Sequence, residues 1–194
     1  MATTFDVIPS TNTDVTFGEV LELAQANINR SLAKLSTPQS IDLRAEIITG
    51  EHRIDANPTA PFAWPHNKTY AWFSINGIAG GTDAYCDTIS SSYGVKGRQW
   101  WFLDELREAP AFQAQHEAIL SKAIALDRKW SFRRSMGQPP IINLSYGIIA
   151  GALAELTCGL VFSGDGAWDY QRLPISGTEF LAKYLNSGAL LYQK

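Results

Sequence analysis

Two carboxylates and two amphipathic aromatic side chains lie close together in the segment Ser163–Tyr170 (SGDGAWDY). Asp165 and Asp169 are four positions apart, and Trp168 and Tyr170 supply stacking faces and hydrogen-bonding tips. The glycines of the segment allow tight turns. Because this composition is favoured where one protein recognises another, the segment predicts a binding loop.

Two other interpretations of the segment exist. In the first, Asp165 bonds to the local backbone and Trp168 plugs the core, so that the segment is a structural turn. In the second it is a calcium loop, but the regular succession of oxygen ligands is missing because only Asp165 and Asp169 are placed. The structural turn stays open as an alternative to the binding loop.

A second aromatic loop comes earlier in the chain, at 57–65 (NPTAPFAWP). Its three prolines exclude regular structure, and Phe62 and Trp64 give it two large apolar side chains. A loop stiffened in this way suits either packing inside the protein or recognition of a partner. We include both aromatic residues among the predicted partner-binding residues.

A cysteine, a histidine and an aspartate could together form an activated nucleophile. Cys86 would attack, His116 would act as the base, and Asp83 or Asp87 would orient it, since such groups need only meet in space. The glycines at 77–82 could present backbone N–H groups to an anion, although a tight strand-to-helix turn also requires them. The local signatures H-E-x-x-H, G-x-S-x-G, Walker A and G-x-G-x-x-G are absent from the sequence.

The spacing of histidines and cysteines does not indicate a metal or a cofactor. His52 and His66 lie in predicted loops with no His or Cys at a ligand spacing. Cys86 and Cys158 are far apart in the sequence, and neither has a second cysteine nearby. We therefore expect two buried free thiols in a reducing compartment, no metal and no cofactor.

The composition limits the class of protein. The chain has 194 residues, enough for one globular domain, and 16 basic against 19 acidic side chains give a formal charge of −3. It has no basic field to hold a phosphate backbone, so we expect no nucleic-acid partner.

Residues 1–9 lack the pattern of a secretory signal, and the longest apolar stretch, 148–156, is too short to cross a membrane. The sequence thus predicts a cytoplasmic protein with no membrane partner.

Apolar periodicity predicts the elements of the first half. Residues 1–15 are polar and predict a loose N-terminal arm, with at most an edge strand at Phe5–Ile8. Thr16 and Glu19 form a capping box that begins a helix ending near Leu35. Alternation and turn signals then predict a strand at 41–48, a strand at 70–75 and a helix that runs from the glycine loop to about Ser92.

The second half is predicted to form around one apolar centre. Ile141–Leu156 is apolar almost all round and predicts a central buried helix. Ser176 and Glu179 form a second capping box, which begins a last helix. The other predicted elements are helices at 100–108 and 111–127 and strands at 130–135 and 160–162. This order indicates an α+β or α/β fold with a mixed sheet, in which residues 16–194 form a single domain.

A pattern in the last third of the sequence resembles one found in a group of small bacterial proteins. It consists of the run Tyr146–Thr157 (YGIIAGALAELT), Gly159, Ser163, the run Asp165–Asp169 (DGAWD) and Pro174. The resemblance is to immunity proteins, cytosolic antidotes that bind and block a contact-dependent or type VI secreted toxin. It implies a cognate protein toxin as the partner and assigns no catalytic residue.

Two functions from different classes follow from these observations. The first is a binding protein that inhibits its toxin sterically, with Asp165 and Asp169 pairing with basic residues of the toxin. The desolvated anchors would be aromatic side chains of the two loops, namely Trp168, Tyr170, Trp64 and Phe62. The alternative is a small-molecule hydrolase or transferase that uses Cys86 and His116.

Overall fold

The computed structural model describes residues 2–11, 14–34, 40–65, 68–90 and 101–191. At 34, 101 and 187–191 this description covers the backbone only. The strands are β1 (Thr3–Ile8), β2 (Leu43–Thr49), β3 (His52–Asp55), β4 (Thr69–Ile75), β5 (Thr82–Asp87), β6 (Lys129–Arg134), β7 (Leu160–Phe162) and β8 (Ile175–Ser176). The α-helices are α1 (Phe17–Lys34), α2 (Trp101–Glu108), α3 (Ala114–Leu126), α4 (Pro140–Leu156) and α5 (Gly177–Leu191).

The eight strands form one sheet in the order β3-β2-β4-β5-β6-β1-β7-β8. Helices and this sheet build a single α+β domain, so the predicted fold class is confirmed. The sheet differs from the expected mixed one in that all its described pairs are antiparallel. The hairpins β2–β3 and β4–β5 account for part of this, since strands joined by a short turn must run in opposite directions.

Strand β1 lies inside the sheet, between β6 and β7. The side chains of Phe5, Val7 and Ile8 are fully buried there. The prediction of a loose arm at 1–15 is therefore wrong for residues 3–8, and so is the prediction of an edge strand. Burial of three apolar side chains and hydrogen bonding on both sides outweigh the polar composition of the flanking residues.

One face of the sheet, called here the inner face, is covered by α1, α4 and α5. The predicted central helix is confirmed as α4, which is buried along nearly its whole length. Gly147 and Gly151 let α5 approach closely, because a Cβ on either would collide with side chains of that helix. The ring of Phe5 packs against Tyr146 of α4 and Phe180 of α5, at centroid distances of 4.8 and 5.1 Å.

The glycine-rich loop leads into a strand and not into a helix. Residues 76–81 form the turn of the β4–β5 hairpin, and Gly77 and Gly80 both have positive φ. Ala71 lies opposite Ala84 across that hairpin. The predicted helix to about Ser92 is thus wrong over β5, and its end at 91–92 lies outside the described residues. Because no helix begins at the loop, it also offers no anion site of the helix N-terminal kind.

Both predicted capping boxes mark helix starts. At α1, Glu19 Oε2 accepts from the Thr16 backbone N–H at 2.8 Å, while Thr16 Oγ1 accepts from the Glu19 N–H at 3.3 Å. At α5, Ser176 Oγ accepts from the Glu179 N–H at 3.3 Å. The local sequence therefore sets where these two helices begin.

Candidate functional site

Three polar side chains meet on the face of the sheet opposite α4, called here the outer face, where β1 pairs with β6. Phe5 and Val7 point into the core, so the alternation of the strand turns Asp6 to the outer face. Lys129 and Ser131 occupy the same face of β6. The register places Asp6 directly opposite Ser131, and this brings all three side chains together.

The three side chains form a closed hydrogen-bonded cluster. Lys129 Nζ donates to Asp6 Oδ1 at 3.1 Å and to Ser131 Oγ at 3.1 Å, and Ser131 Oγ donates to Asp6 Oδ1 at 2.6 Å. Only 9% of the Lys129 side chain and 14% of the Asp6 side chain are exposed. The ammonium also lies 4.7 Å from the ring centroid of Phe102 in α2. An ammonium has donors only, so in this arrangement Lys129 cannot accept the Ser131 proton as a catalytic base would.

The predicted binding loop after β7 brings a second carboxylate to this cluster. Asp165 Oδ1 accepts from the backbone N–H of Thr4 at 3.0 Å and from Ser163 Oγ at 3.0 Å. The Ala167 N–H in turn donates to Ser163 Oγ at 3.1 Å. The loop is therefore structured, but Asp165 bonds to the backbone of β1 and to the Ser163 side chain rather than to its local backbone as the alternative interpretation expected. The loop holds this exposed carboxylate beside β1.

A third carboxylate comes from α2 and completes a cleft. Glu105 lies so close to Gly164 that a Cβ at that glycine would collide with its carboxylate. Between α2, the loop and the outer face of the sheet lies a cavity of about 350 Å³. It is lined by polar and aromatic residues from β1, β6, α2 and the loop, namely Thr4, Asp6, Phe102, Glu105, Lys129, Ser131, Phe162, Gly164 and Asp165. We call this cavity the carboxylate cleft.

The carboxylates of the cleft repel one another. Burial raises the pKa of Glu105, and the negative charges of Asp6 and Asp165 raise it further. Among the described residues, three carboxylates line the cleft, whereas Lys129 is the one lining cation and is already paired. A positively charged group entering the cleft would relieve this repulsion.

The two aromatic side chains of the loop, Trp168 and Tyr170, are only partly buried against the rest of the domain. Trp168 is half-buried and meets the rings of Phe180 and Tyr184 of α5 edge-on, at 5.3 and 5.9 Å. The guanidinium of Arg172 lies 5.8 Å from its ring centroid. Tyr170 is also half-buried, and its ring centroid lies 6.3 Å from that of Phe162, which forms part of the wall of the cleft. These rings anchor the loop to the domain. Tyr170 lies beside the wall of the cleft, whereas Trp168 lies against α5, which covers the inner face.

Asp169 differs from Asp165 in that its carboxylate serves the loop itself. Its Oδ1 accepts from the Gln171 N–H at 3.2 Å and so caps a short 3₁₀ turn at Tyr170–Arg172. Its Oδ2 lies 2.9 Å from Arg172 Nε. An incoming basic group would have to compete with Arg172 for Asp169, whereas Asp165 has no ion pair among the described residues.

Phe62 and Trp64, predicted as anchors for a partner, are core residues instead. Their exposed fractions are 2% and 7%. Phe62 packs on Phe17 at 4.7 Å, and its backbone carbonyl accepts from Trp130 Nε1 at 3.1 Å. The loop at 57–65 is bonded to the start of α1 and covers the core, so these rings cannot reach a partner without unfolding.

Cys86 and His116 occupy separate parts of the described structure. Cys86 lies on β5 opposite Trp130, and burial raises its pKa, which disfavours the thiolate. His116 Nδ1 accepts from the Gln113 N–H at 3.2 Å as part of the start of α3. Neither contact joins the two residues. The expectation of two buried thiols is wrong, because Cys86 is half-buried and Cys158 is exposed.

The two aspartates proposed to orient His116 belong to β5. Asp83 is buried, is ion-paired with Arg133 and accepts from Tyr85 OH at 2.9 Å. Burial, followed by this hydrogen bond, raises the pKa of Tyr85 to about 12. Asp87 lies opposite Lys129 in the sheet. The contacts of Asp83 are with the sheet, so it is a structural residue in this arrangement.

Comparison with known proteins identifies no relative, since no family model, no curated protein and no solved structure matches the chain. Over the ranges that the structure describes, no group of three or more His, Cys, Asp or Glu side chains could hold a metal ion. His66 lies outside those ranges. No described helix combines the length and the apolar character needed to cross a bilayer.

Sequence reasoning missed the three residues of the hydrogen-bonded cluster, Asp6, Lys129 and Ser131, and it also missed Glu105. One of them, Asp6, had a local signal, because Phe5 and Val7 flank it in the alternating pattern of a strand. Glu105, Lys129 and Ser131 had none, because only the fold brings them together with the loop. Of the predicted site residues, the structure places Asp165 in the cleft.

Proposed function

We propose that this chain is an inhibitory binding protein that blocks a cognate secreted toxin by occluding the toxin's active site. The resemblance of Tyr146–Thr157 and Asp165–Asp169 to immunity proteins supports this proposal. The alternative, a hydrolase or transferase, has no comparable support. Cys86 lies apart from His116, and the contacts of Asp83 are with other residues of the sheet.

The carboxylate cleft is the observation that carries the proposal. Asp6, Glu105 and Asp165 face a cavity of about 350 Å³ in which their charges repel one another. A basic side chain of the toxin would fill the cavity and pair with Glu105 and Asp165 while Asp6 stays with Lys129. Toxins that act on anionic substrates carry such basic residues in their active sites, so this pairing would compete with their substrate.

Two aromatic residues of the loop would supply the rest of the interface: Tyr170, beside the wall of the cleft, and Trp168, on the side of the loop that packs against α5. Trp168 and Tyr170 are half-buried and are held by rings of the domain, so they lose little conformational entropy on binding. Aromatic anchors beside a charged pocket are typical of strongly binding interface centres. We also propose that the protein acts in the cytoplasm, where an antidote meets a toxin that has entered the cell.

The test begins with capture of the toxin and ends with a measured affinity. The tagged chain is used to retain its partner at high salt from the organism that encodes it, and the partner is identified by mass spectrometry and purified. Calorimetry then compares wild type with Glu105→Gln and Asp165→Asn. Each variant is expected to weaken binding at least about tenfold, because each removes a charge from a desolvated pair.

Asp104→Asn is the matched control. Asp104 precedes Glu105 on α2, but it is exposed and pairs with Arg107 at 3.8 Å, so its loss should leave the affinity within about twofold. Asp165→Asn keeps an Oδ1 that can accept from Thr4 and Ser163. If Glu105→Gln and Asp165→Asn bind the purified partner as tightly as Asp104→Asn and wild type do, the cleft is not the binding site.

A further inference from the structure

Strand β3 forms an edge of the sheet and is exposed along its whole length. It is the first strand in the sheet order, and all four of its residues are exposed. Ile54, at its centre, is 64% exposed. Only Met136 is a comparably exposed large apolar residue in the described parts of the chain. An edge strand with an outward apolar side chain is a ready template for pairing with another strand.

The register of the β2–β3 hairpin shows which backbone groups face outward. Thr49 lies opposite His52 across a two-residue turn, and in such a hairpin the closing pair exchanges both hydrogen bonds. The bonded pairs recur at every second residue, so Ile54 bonds to β2 as well. The Ala56 N–H donates to the Ala45 carbonyl at 3.0 Å, which agrees with this phase. The N–H and C=O groups of the residues between, Arg53 and Asp55, therefore point away from the sheet.

These outward groups fit a second copy of the same strand. If two β3 strands run antiparallel about a two-fold axis through Ile54, Arg53 of each copy lies opposite Asp55 of the other. Both residues then form hydrogen-bonded pairs with their outward N–H and C=O groups. The Ile54 side chains meet on the other face as a non-hydrogen-bonded pair, where cross-strand side chains come closest.

The charges of β3 are self-complementary in this register. Asp55 lies opposite Glu46 within the sheet, a like-charge pair that is unfavourable on its own. Arg53 Nη1 lies 3.6 Å from Glu46 Oε2. In the dimer, Arg53 of the second copy would lie opposite Asp55 of the first copy and would supply the counter-charge for its carboxylate.

We propose that two copies of this chain associate through β3, forming one antiparallel sheet that continues from one copy into the other. Strand β1, which carries Asp6, is five positions from β3 in the sheet order, so the carboxylate cleft stays open in the dimer. This association is independent of the proposed inhibitory function. The interface is small, so we expect a dissociation constant in the micromolar range.

Sedimentation velocity over a concentration series tests the pairing with charge reversal. Arg53→Asp and Asp55→Arg each place like charges opposite each other twice, so each should raise the dissociation constant about tenfold. The double variant R53D/D55R restores both opposite-charge pairs and should restore dimerisation. A wild-type chain that stays monomeric at about 100 μM, or a double variant no better than the single ones, overturns the proposal.

Cross-linking at the two-fold axis tests the register directly. In a Cys158→Ser background, Ile54→Cys should form an intermolecular disulfide under mild oxidation, because its Cβ atoms face each other across the axis. Met136→Cys in the same background is the control, since Met136 is 72% exposed, slightly more than Ile54, and lies outside β3. Equal cross-linking of the two variants would refute this register.

Discussion

Replacing Asp6 by Asn would leave the buried ammonium of Lys129 without its counter-charge. The Asn side chain keeps one oxygen that can accept from Lys129 Nζ and Ser131 Oγ, so the variant isolates the effect of charge. It also keeps the volume of the side chain. The decrease in the free energy of unfolding therefore measures how much the Asp6–Lys129 pair, which lines the carboxylate cleft, stabilises the fold.

The expected loss follows from the burial of the pair. With side-chain exposures of 9% and 14%, Lys129 and Asp6 count as a buried pair, and removing one partner of such a pair costs about 3–5 kcal/mol. The retained acceptor and the ring of Phe102 beside the ammonium favour the lower end, about 3 kcal/mol. For a chain of this length the melting temperature should fall by about 6–12 °C.

Urea unfolding followed by circular dichroism measures this loss, and a double-mutant cycle assigns it to the pair. Lys129→Met removes the ammonium, and the double variant D6N/K129M should lose at least about 1.5 kcal/mol less than the sum of the two single losses. A loss below about 1 kcal/mol for Asp6→Asn would equal that of an exposed ion pair and would refute the reasoning.

Three further predictions use the same structure. Glu105→Gln should stabilise the free protein near neutral pH, because the raised pKa of Glu105 means that its ionisation opposes folding. In urea unfolding, the variant and wild type should have the same stability below the ordinary carboxyl pKa of about 4.3. Above that pH, the stability of the variant should increasingly exceed that of wild type. Gly151→Ala should cost about 1–3 kcal/mol in the same assay, because its Cβ would lie 2.8 Å from side chains of α5. Asp83→Asn should lower the pKa of Tyr85 from about 12 in an NMR titration, yet leave it above the ordinary value because burial remains.

Periodicity predicted the helices well because each carries its own signal. The Thr16–Glu19 box fixes the start of α1, and α4 is apolar all round because sheet and helices surround it. Strand β5 carries no such signal. Its inner face is built from the small residues Ala84 and Cys86, so the apolar alternation that marks a strand is weak.

The cleft depends on contacts between distant parts of the chain. Lys129 and Asp6 are 123 positions apart, and Thr4 and Asp165 are 161 apart. Local patterns identified the loop that carries Asp165, but they contain no information on which strand it meets. Phe62 and Trp64 failed as site predictions for the same reason, since an aromatic loop has the same composition whether it covers a core or faces a partner.

The interior position of β1 also determines the stage of synthesis at which the carboxylate cleft can form. The neighbours of this strand, β6 and β7, are made more than a hundred residues after it. Until then Asp6 has no Lys129 to pair with, and Phe5 has no core to enter. Such non-local pairing makes folding slow. The carboxylate cleft is therefore complete only when the whole sheet has closed, and a truncated or nascent chain would lack it.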